Sequence, residues 1–572
     1  MGALSLLEES VMVKSKYIDI IDTVLNAYTD ERIRDYVAQV KAEGLSEHGF
    51  PRLTAAIGIL LAHDRRSDKR ELFVEMMDLC CEQIPTAFQR YHKVGNEFSV
   101  REIVSCILLL EEKQTFPKEL TQKWRKMLQR IDPYTCYRVI AAEPPVRIGN
   151  WAAFGAASEQ ARKYAGIGCE DHFIDNQIAS QLLSFDENGM YRDPNEPMVY
   201  DMATRLQLSV AMFYGYDGPD HEKLSQMLED GGIKTLYMQS VTGELPYGGR
   251  SNQFLHNEAG IAAVCEFEAC RHKRNGNLKL AGQFKSAANL AITKLCQYLD
   301  GERMYHIKNA YPNDSQYGCE GYGYFNKYMV TVASLIYLAY LFADDSIESI
   351  PCPAEAENYI FRTSDHFHKT FCKFGEYCVE YDTNADFHYD ANGLGRVHRK
   401  GAPSAICLSV PCAKEPNYNI DIENPSNLSI CAGVWANGAG MFGCEPGTEY
   451  TLIEQKVTEN EATLVWLCKL SGGETYKESC TVSEAGVHLK VEGDAELCCR
   501  LPVFVWDGAN QSSSEVLQSK ITVSYDGWTC CFETDGTIRD SESLYANRNG
   551  HYKAYTTKKA RELNVWISVQ KK

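Results

Sequence analysis

The spacing of apolar residues changes once along the chain, near residue 350, and this change limits the fold more than any other feature. Before it, apolar residues recur at helical spacing, as in 57–61 and 103–110, and short breaks rich in Gly, Pro or Asp separate the segments. After Pro351, apolar and polar residues alternate, as in 377–381 and 487–491, with turn dipeptides between the runs. The sequence therefore predicts a helical part followed by an antiparallel β part.

The helical part contains about a dozen predicted helices joined by short connections, which favours antiparallel neighbours. Besides those above, helices are predicted at 72–77, 149–165, 171–184, 200–214, 253–272, 279–299 and 325–343. The absence of a fixed-period repeat favours a closed toroid over an open solenoid. The predicted fold class is α+β and multidomain, with an (α/α) toroid over residues 1–350 and an antiparallel β-sandwich over 355–572.

Composition excludes several classes of protein. The 572 residues carry a net charge of −19, which argues against nucleic acid as the main partner. Residues 1–9 lack the basic and apolar regions of a signal peptide, and polar residues interrupt the most apolar segment, 329–342. We therefore expect a cytoplasmic protein without a membrane partner, and a homo-oligomer stays open. The 22 cysteines form no CxxC pair, which indicates reduced core thiols.

Two segments place polar and aromatic side chains where a helix is predicted to begin. Asn150 follows Arg147 and either caps the helix or donates a hydrogen bond to a substrate carboxylate. Trp151 then offers a face for stacking on a sugar. The second segment, 189–201, contains Tyr191 and Tyr200 in a loop that its prolines make rigid. A purely structural role for Tyr200 stays open at this point.

The segment 243–258 has the most specific chemistry. Arg250 follows two glycines, stands before a predicted helix N-terminus, and can grip a carboxylate bidentately. We expect Ser251 or Asn252 to cap that helix, and Asn252 and His256 to share one helical face. His256 is a candidate acid, base or orienting group, although a capped helix with a satisfied histidine is the alternative. The segment also supplies three candidate substrate-binding residues, Tyr247, Asn257 and Glu258.

Two further segments complete the candidate site. A glycine-rich loop in 305–326 presents Glu320 and Tyr322, either lining a site or packing as a turn. In the β part, the segment 386–401 reads as a basic, aromatic loop that faces the helical domain, with His398 as a candidate substrate-binding residue. A structural metal near His388 and His398 is the alternative there, with Asp386 and Asp390 as further ligands, although no strong ligand spacing occurs.

A helical half followed by a β half that begins with DFHYDANGLGRVHRKG resembles the toroid-plus-sheet polysaccharide lyases, of the heparinase II/III-like and oligoalginate lyase type. The local match is an Asn at a helix start and a Tyr fifty residues later, here Asn150 and Tyr200. The resemblance implies that Asn150 neutralises a uronate carboxylate and that Tyr200 transfers the proton. Many relatives have His directly after the Asn, where this chain has Trp151, and His256 is the candidate to replace it.

The resemblance implies β-elimination on a uronate-containing oligosaccharide, with Asn150 and Arg250 stabilising the enolate-like carboxylate and with no cofactor. Tyr200 would exchange the proton, and His256 would assist from the other side. A glycoside hydrolase on the same scaffold is the main alternative and would need two catalytic carboxylates. Its candidate carboxylates are Glu196, Asp201, Glu258 and Glu320. A non-catalytic carbohydrate-binding protein is a third, weaker alternative.

Overall fold

The structure is a computed structural model that describes residues 13–91, 95–138, 142–299 and 304–572. The N-terminal residues used for the prediction about a signal peptide lie outside these ranges. Within them, fifteen α-helices precede the first strand: α1 Lys14–Leu25, α2 Asp30–Glu43, α3 Gly49–Ala62, α4 Arg70–Tyr91, α5 Glu97–Glu112, α6 Lys118–Leu128, α7 Pro133–Cys136, α8 Trp151–Tyr164, α9 Asp171–Leu182, α10 Met198–Phe213, α11 His221–Met238, α12 His256–Arg274, α13 Leu278–Cys296, α14 Phe325–Phe342 and α15 Pro353–Ala356.

Six of these helices form a closed inner ring. Contacts run from α3 to α5, α8, α10, α12 and α14 in turn, and α14 packs back against α3. Helices α4, α9, α11, α13 and α1 each pack against an inner helix. The chain thus alternates between an inner and an outer helix, which confirms the predicted toroid. The expectation of short connections holds after most inner helices but is wrong for the long segments that precede α8, α10, α12 and α14.

Inner and outer helices differ in how much of their surface is apolar. All fourteen residues of α3 are buried, whereas α6 buries only Thr121, Trp124 and Leu128. A helix covered on all sides belongs to a core, and a helix with one apolar stripe covers it. Helix α14 is long and apolar enough to cross a membrane by length and composition, but 72% of that window is buried inside the ring. Its apolar character therefore fits its position in the core.

The β part is a sandwich of two antiparallel sheets, as predicted. Strands β1 to β4 form a four-stranded sheet in sequence order. The second sheet has eleven strands: eight follow the path β11-β12-β13-β15-β10-β9-β8-β7, β14 pairs with β15, β5 pairs with β10, and β6 pairs with β5. Apolar residues of β2, β3 and β4 pack against those of the larger sheet in one core. The strands are β1 Tyr359–Arg362, β2 Lys369–Phe374, β3 Tyr377–Asp382, β4 Gly393–Arg399, β5 Ala432–Ala436, β6 Ala439–Phe442, β7 Glu449–Val457, β8 Glu461–Lys469, β9 Thr475–Ser483, β10 Gly486–Trp506, β11 Ser513–Val516, β12 Lys520–Tyr525, β13 Trp528–Thr534, β14 Thr537–Asn547 and β15 Gly550–Lys571.

The sandwich packs against loops of the toroid rather than standing apart from it. Arg396 of β4 donates a 2.8 Å hydrogen bond to the carbonyl of Leu245, and Arg548, in the turn between β14 and β15, forms an ion pair with Glu320. The segment 386–401 therefore does face the helical domain. All 22 cysteines are unpaired, and most are buried among apolar side chains, in agreement with the predicted reduced core thiols.

Candidate active site

A cavity of about 390 Å³ lies at one end of the ring, where the inner helices begin. All six inner helices contribute residues from their first turns or from the loops before them. The lining includes Glu47, His48, Arg52, Phe98, Asn150, Trp151, Phe154, Tyr200, Gln207, Ser251, His256, Tyr322, Lys327 and Tyr328. Because a helix N-terminus carries a partial positive charge and unpaired N–H groups, six of them together favour an anionic ligand.

Asp193 connects two of the predicted catalytic residues. Asn150 donates a 2.9 Å hydrogen bond from Nδ2 to Oδ1 of Asp193, and Arg250 forms an ion pair with Oδ2 of the same carboxylate. The Asn150 side chain does not cap α8, so the capping alternative is wrong. Asp193 is 1% exposed, and a carboxylate buried to this degree fixes the positions of both its partners. One N–H of Asn150 remains available for a ligand.

Tyr200 lies in the first turn of α10, beneath the guanidinium of Arg250. The Arg250 carbon Cζ is 4.4 Å from the centre of the Tyr200 ring. Burial alone would lower the pKa of Arg250, but the facing Tyr200 and Asp193 outweigh burial and raise it. Arg250 therefore stays protonated and provides a fixed positive charge beside the Tyr200 ring.

Ser251 links Tyr200 to Tyr322. Its hydroxyl lies 3.2 Å from that of Tyr200 and 2.8 Å from that of Tyr322, so the three hydroxyls form a hydrogen-bonded chain. The expected capping role of Ser251 is wrong, because α12 begins only at His256 and Ser251 has a left-handed φ of 60°. Its backbone N–H donates a 2.6 Å hydrogen bond to Glu320, which holds this strained turn in place.

His256 is the first residue of α12 and is 8% exposed. Burial, reinforced by the charge of Arg52, lowers its pKa to about 3, so its imidazole is neutral at ordinary pH. The ring stacks on Phe254, and its Nδ1 has no hydrogen-bond partner among the described residues. A neutral imidazole can donate at one nitrogen and accept at the other, which suits contacts with sugar hydroxyls.

The structure does not place several predicted substrate-binding residues at this cavity. Tyr247 is fully buried, with the ammonium of Lys369 3.3 Å from its ring centre. Tyr191 is 1% exposed, and His398 is held between the hydroxyls of Ser240 and Ser409. Tyr247 and His398 lie at the junction between the two domains, whereas Tyr191 packs within the toroid against Phe185, and any role of the three in binding substrate stays a prediction.

Three further predicted substrate-binding residues make contacts that hold the loop before α12 and its first turn in place. Asn252 donates a hydrogen bond to the carbonyl of Pro246, and Asn257 donates one to the carbonyl of Ser251. Glu258 pairs with Lys308 at 2.7 Å. The expectation that Asn252 shares a helical face with His256 is wrong, because Asn252 precedes the helix. Trp151 and Tyr322, in contrast, do line the cavity.

Several residues of the cavity were missed by the sequence analysis. Glu47, His48 and Arg52 stand at the start of α3, and Lys327 and Tyr328 at the start of α14. Both helices were predicted from their apolar centres, and the polar residues at their starts were not predicted to belong to the site. The available signal was the one that identified Asn150, namely polar side chains at the beginning of an otherwise apolar helix.

The carboxylates proposed for a hydrolase are engaged elsewhere. Asp201 forms a buried ion pair with Arg205, Glu258 pairs with Lys308, and Glu320 pairs with Arg548. Glu196 lies in the loop before α10 and is not among the residues around the cavity. Among the described residues that line the cavity, Glu47 is the one with a carboxylate.

The segment considered for a metal is occupied by protein contacts. His388 is exposed, and Asp390 accepts a 2.7 Å hydrogen bond from the backbone N–H of Gly249. Among the described residues, no group of three or more His, Cys, Asp or Glu side chains has the arrangement to hold a metal ion. The side chains near His388 and His398 thus connect the sandwich to the toroid.

Comparison with known proteins finds similarity at the level of solved structures. No family model and no curated protein matches the chain. Heparinase III matches at 8% identity and a TM-score of 0.46, over 83% of this chain and 69% of that one. Heparan sulfate lyase HepC from Pedobacter heparinus matches at 11% identity and a TM-score of 0.36, over 87% and 75%.

A glycoside hydrolase also appears among the similar structures. The GH127 β-L-arabinofuranosidase Ara127N from Geobacillus stearothermophilus T6 matches at 11% identity and a TM-score of 0.36, over 98% of this chain and 99% of that one. The heparinase-like lyases that the sequence resembles are thus represented among the similar solved structures by heparinase III. Because the identities and TM-scores are this low, the activity has to be argued from the cavity itself.

Proposed function

We propose that this protein is a carbohydrate-active enzyme that cleaves uronate-containing oligosaccharides by β-elimination. The observation that carries the proposal is the grouping of Asn150, Tyr200, Arg250 and His256 around one end of the helix ring, with Asp193 joining two of them. Two solved structures with a similar architecture are heparinase III and the heparan sulfate lyase HepC. That similarity agrees with the proposal without carrying it.

In the proposed reaction, the available N–H of Asn150 and the helix N-termini bind the uronate carboxylate, which makes the C5 proton more acidic. The Tyr200 oxygen takes that proton, and Arg250 stabilises the phenolate form through its adjacent positive charge. The C4–O4 bond breaks as the C4–C5 double bond forms, and the proton passes from Tyr200 to the departing O4. The reaction consumes no water and needs no cofactor, since every group named is a side chain or backbone group of this chain.

A hydrolase would place two carboxylates on opposite sides of the scissile bond. The cavity has Glu47 as its carboxylate, and the other candidates are in ion pairs or away from the cavity. This distribution favours elimination over hydrolysis. A non-catalytic binding protein would have no use for the hydroxyl chain of Tyr200, Ser251 and Tyr322.

The test is the ultraviolet absorbance of an unsaturated uronate while the protein is incubated with a panel of uronate-containing oligosaccharides. We expect absorbance to rise with the wild type and the rate to fall about 10²–10⁴-fold in Tyr200→Phe, because the proton-transfer group is removed. Tyr164→Phe, on a tyrosine that is 64% exposed in α8, is the matched control and should keep the wild-type rate. Release of sugar without a rise in absorbance would contradict elimination and indicate hydrolysis.

A further inference from the structure

Lys327 is a buried lysine whose side chain has no acidic partner. It stands in the first turn of α14, is 8% exposed, and lines the cavity. Its ammonium is 4.6 Å from the ring centre of Tyr324, 5.1 Å from that of Tyr328 and 5.9 Å from that of Tyr322. In the ranges that the structure describes, the ammonium has no ion pair within 4 Å and no hydrogen-bond acceptor. Aromatic faces therefore surround a charge that burial makes costly.

The charges around Lys327 leave an excess of positive charge. Arg52 lines the cavity beside it, and Arg52 shares the carboxylate of Glu102 with Arg101. One carboxylate therefore serves two guanidinium groups. Glu47 is the acidic group that acts on Lys327, and burial raises the pKa of Glu47, which disfavours its charged form. A ligand that adds negative charge here would restore the balance.

Buried polar atoms without partners also point to a ligand at this end of the cavity. Oε1 of Glu47, Nδ1 of His48 and Nδ1 of His256 have no hydrogen-bond partner among the described residues. Such atoms are rare in folded proteins because each costs free energy unless something binds it. Together with the unpaired ammonium of Lys327, they form a set of donors and acceptors that suits a charged sugar.

We propose that Lys327, together with Arg52, binds a second anionic group of the substrate, one that is distinct from the uronate carboxylate at Asn150. The shared chemistry is an anionic oxygen group, either a carboxylate or a sulfate ester, on the sugar next to the reacting uronate. Lys327 would then determine specificity, while Tyr200 performs the proton transfer. This inference rests on the proposed function, because it assumes that the cavity binds a uronate.

The experiment measures binding by calorimetry in the Tyr200→Phe background, where cleavage cannot consume the ligand. Three disaccharides are compared: one with a single uronate carboxylate, the same disaccharide with a sulfate ester on the second sugar, and one made of two uronates. We expect the parent to bind at least one doubly charged disaccharide about tenfold more tightly than the singly charged one. The preferred ligand identifies the second group as a sulfate ester or a carboxylate.

Lys327→Gln should lower the affinity for the preferred doubly charged disaccharide about tenfold and the affinity for the singly charged one much less, so that the preference is lost, while Lys327→Arg should retain most of the preference. Lys223→Gln, on an exposed lysine of α11, removes the same charge elsewhere and should have no effect. Equal loss for all three ligands in Lys327→Gln, or no loss, would overturn the inference. If the Tyr200→Phe parent binds all three ligands equally, the anion-binding role of Lys327 is refuted and the proposed function is unaffected. If it binds none of them, both the role of Lys327 and the proposed function are refuted. Lys327→Arg keeps the test valid if the glutamine variant fails to fold.

Discussion

Asp193 has more influence on the site than its place in the sequence suggests. It lies in the polar loop before α10, yet it holds Asn150, which precedes one inner helix, and Arg250, which lies in the loop before another. The sequence identified both partners from their positions at helix starts. It could not identify their connection, because a hydrogen bond between residues 43 positions apart depends on how α8 and α10 pack.

The pH dependence of binding should report the charge of Lys327. Burial, with Arg52 as a like charge, lowers its pKa to about 8, and Glu47 opposes this shift. The tyrosines and the histidine that face it do not change charge between pH 7 and 9, because burial raises the pKa values of Tyr322, Tyr324 and Tyr328 and lowers that of His48.

We therefore expect the affinity for a doubly charged disaccharide to be constant below about pH 7 and to fall as the pH rises through 8, by about tenfold in total, until it matches that of the singly charged disaccharide. The sign follows because the anion binds the protonated amine, which is lost at high pH. Calorimetric titrations from pH 6 to about 9.5 in the Tyr200→Phe background measure this. Lys327→Arg should remove the decline, and a decline that persists in it would assign the titration to another group.

At the scale of elements, the loop between α11 and α12 positions side chains that we propose for catalysis. Gly249 has a φ of +74° and Ser251 a φ of 60°, and these left-handed residues turn the chain so that Arg250 reaches Asp193. A Cβ atom on Gly249 would lie 2.6 Å from Cβ of Pro197, at the start of α10. The loop and the beginning of α10 therefore fit together only with glycine at this position.

Gly249→Ala should destabilise the protein by more than the cost of its φ alone. A left-handed φ costs a residue with a side chain about 1–2 kcal/mol, and the contact with Pro197 adds about 1–3 kcal/mol of overpacking. Gly276→Ala is the matched control, because Gly276 has a φ of +79° and open space around it. Urea titrations of both variants measure the difference, and equal losses in the free energy of unfolding would show that the loop can move away from Pro197.

At the scale of the whole molecule, the sandwich supports the loop of the toroid that precedes α12. Arg548 of the sandwich forms a bidentate, buried ion pair with Glu320, and Glu320 accepts a hydrogen bond from the backbone of Ser251. Ser251 in turn contacts the hydroxyl of Tyr200. The chain of contacts from β14–β15 to the proton-transfer residue thus crosses the junction between the two domains.

Arg548→Met should lower both stability and activity, because it leaves the carboxylate of Glu320 buried without its cation. Breaking a buried ion pair from one side costs about 3–5 kcal/mol, and adding Glu320→Gln should recover part of this loss. Lys520→Met, which breaks the exposed ion pair with Glu533, is the control and should cost about 1 kcal/mol or less. Urea titrations and the elimination rate are the measurements, and an unchanged rate in a folded Arg548→Met variant would contradict the supporting role of the sandwich.

The sequence by itself determined the class of each half, most of the inner helices and the position of Asn150 and Tyr200 at helix starts. These features depend on periodicity and on residues close together in the chain, which a sequence displays directly. Only the tertiary structure decided that α12 begins at His256, that Tyr247 and His398 are buried at the domain junction, and that Lys327 faces the cavity.

The physical reason is ring closure. Arg52 of α3 donates a hydrogen bond to Thr331 of α14, 279 residues later, because the last inner helix packs against the first. Local patterns predict each helix but carry no information about which polar side chains remain unpaired once the ring has closed. That pairing is settled by contacts across the whole chain. It leaves the ammonium of Lys327 without an ion pair among the described residues, which is the observation behind the anionic ligand that we propose for the cavity.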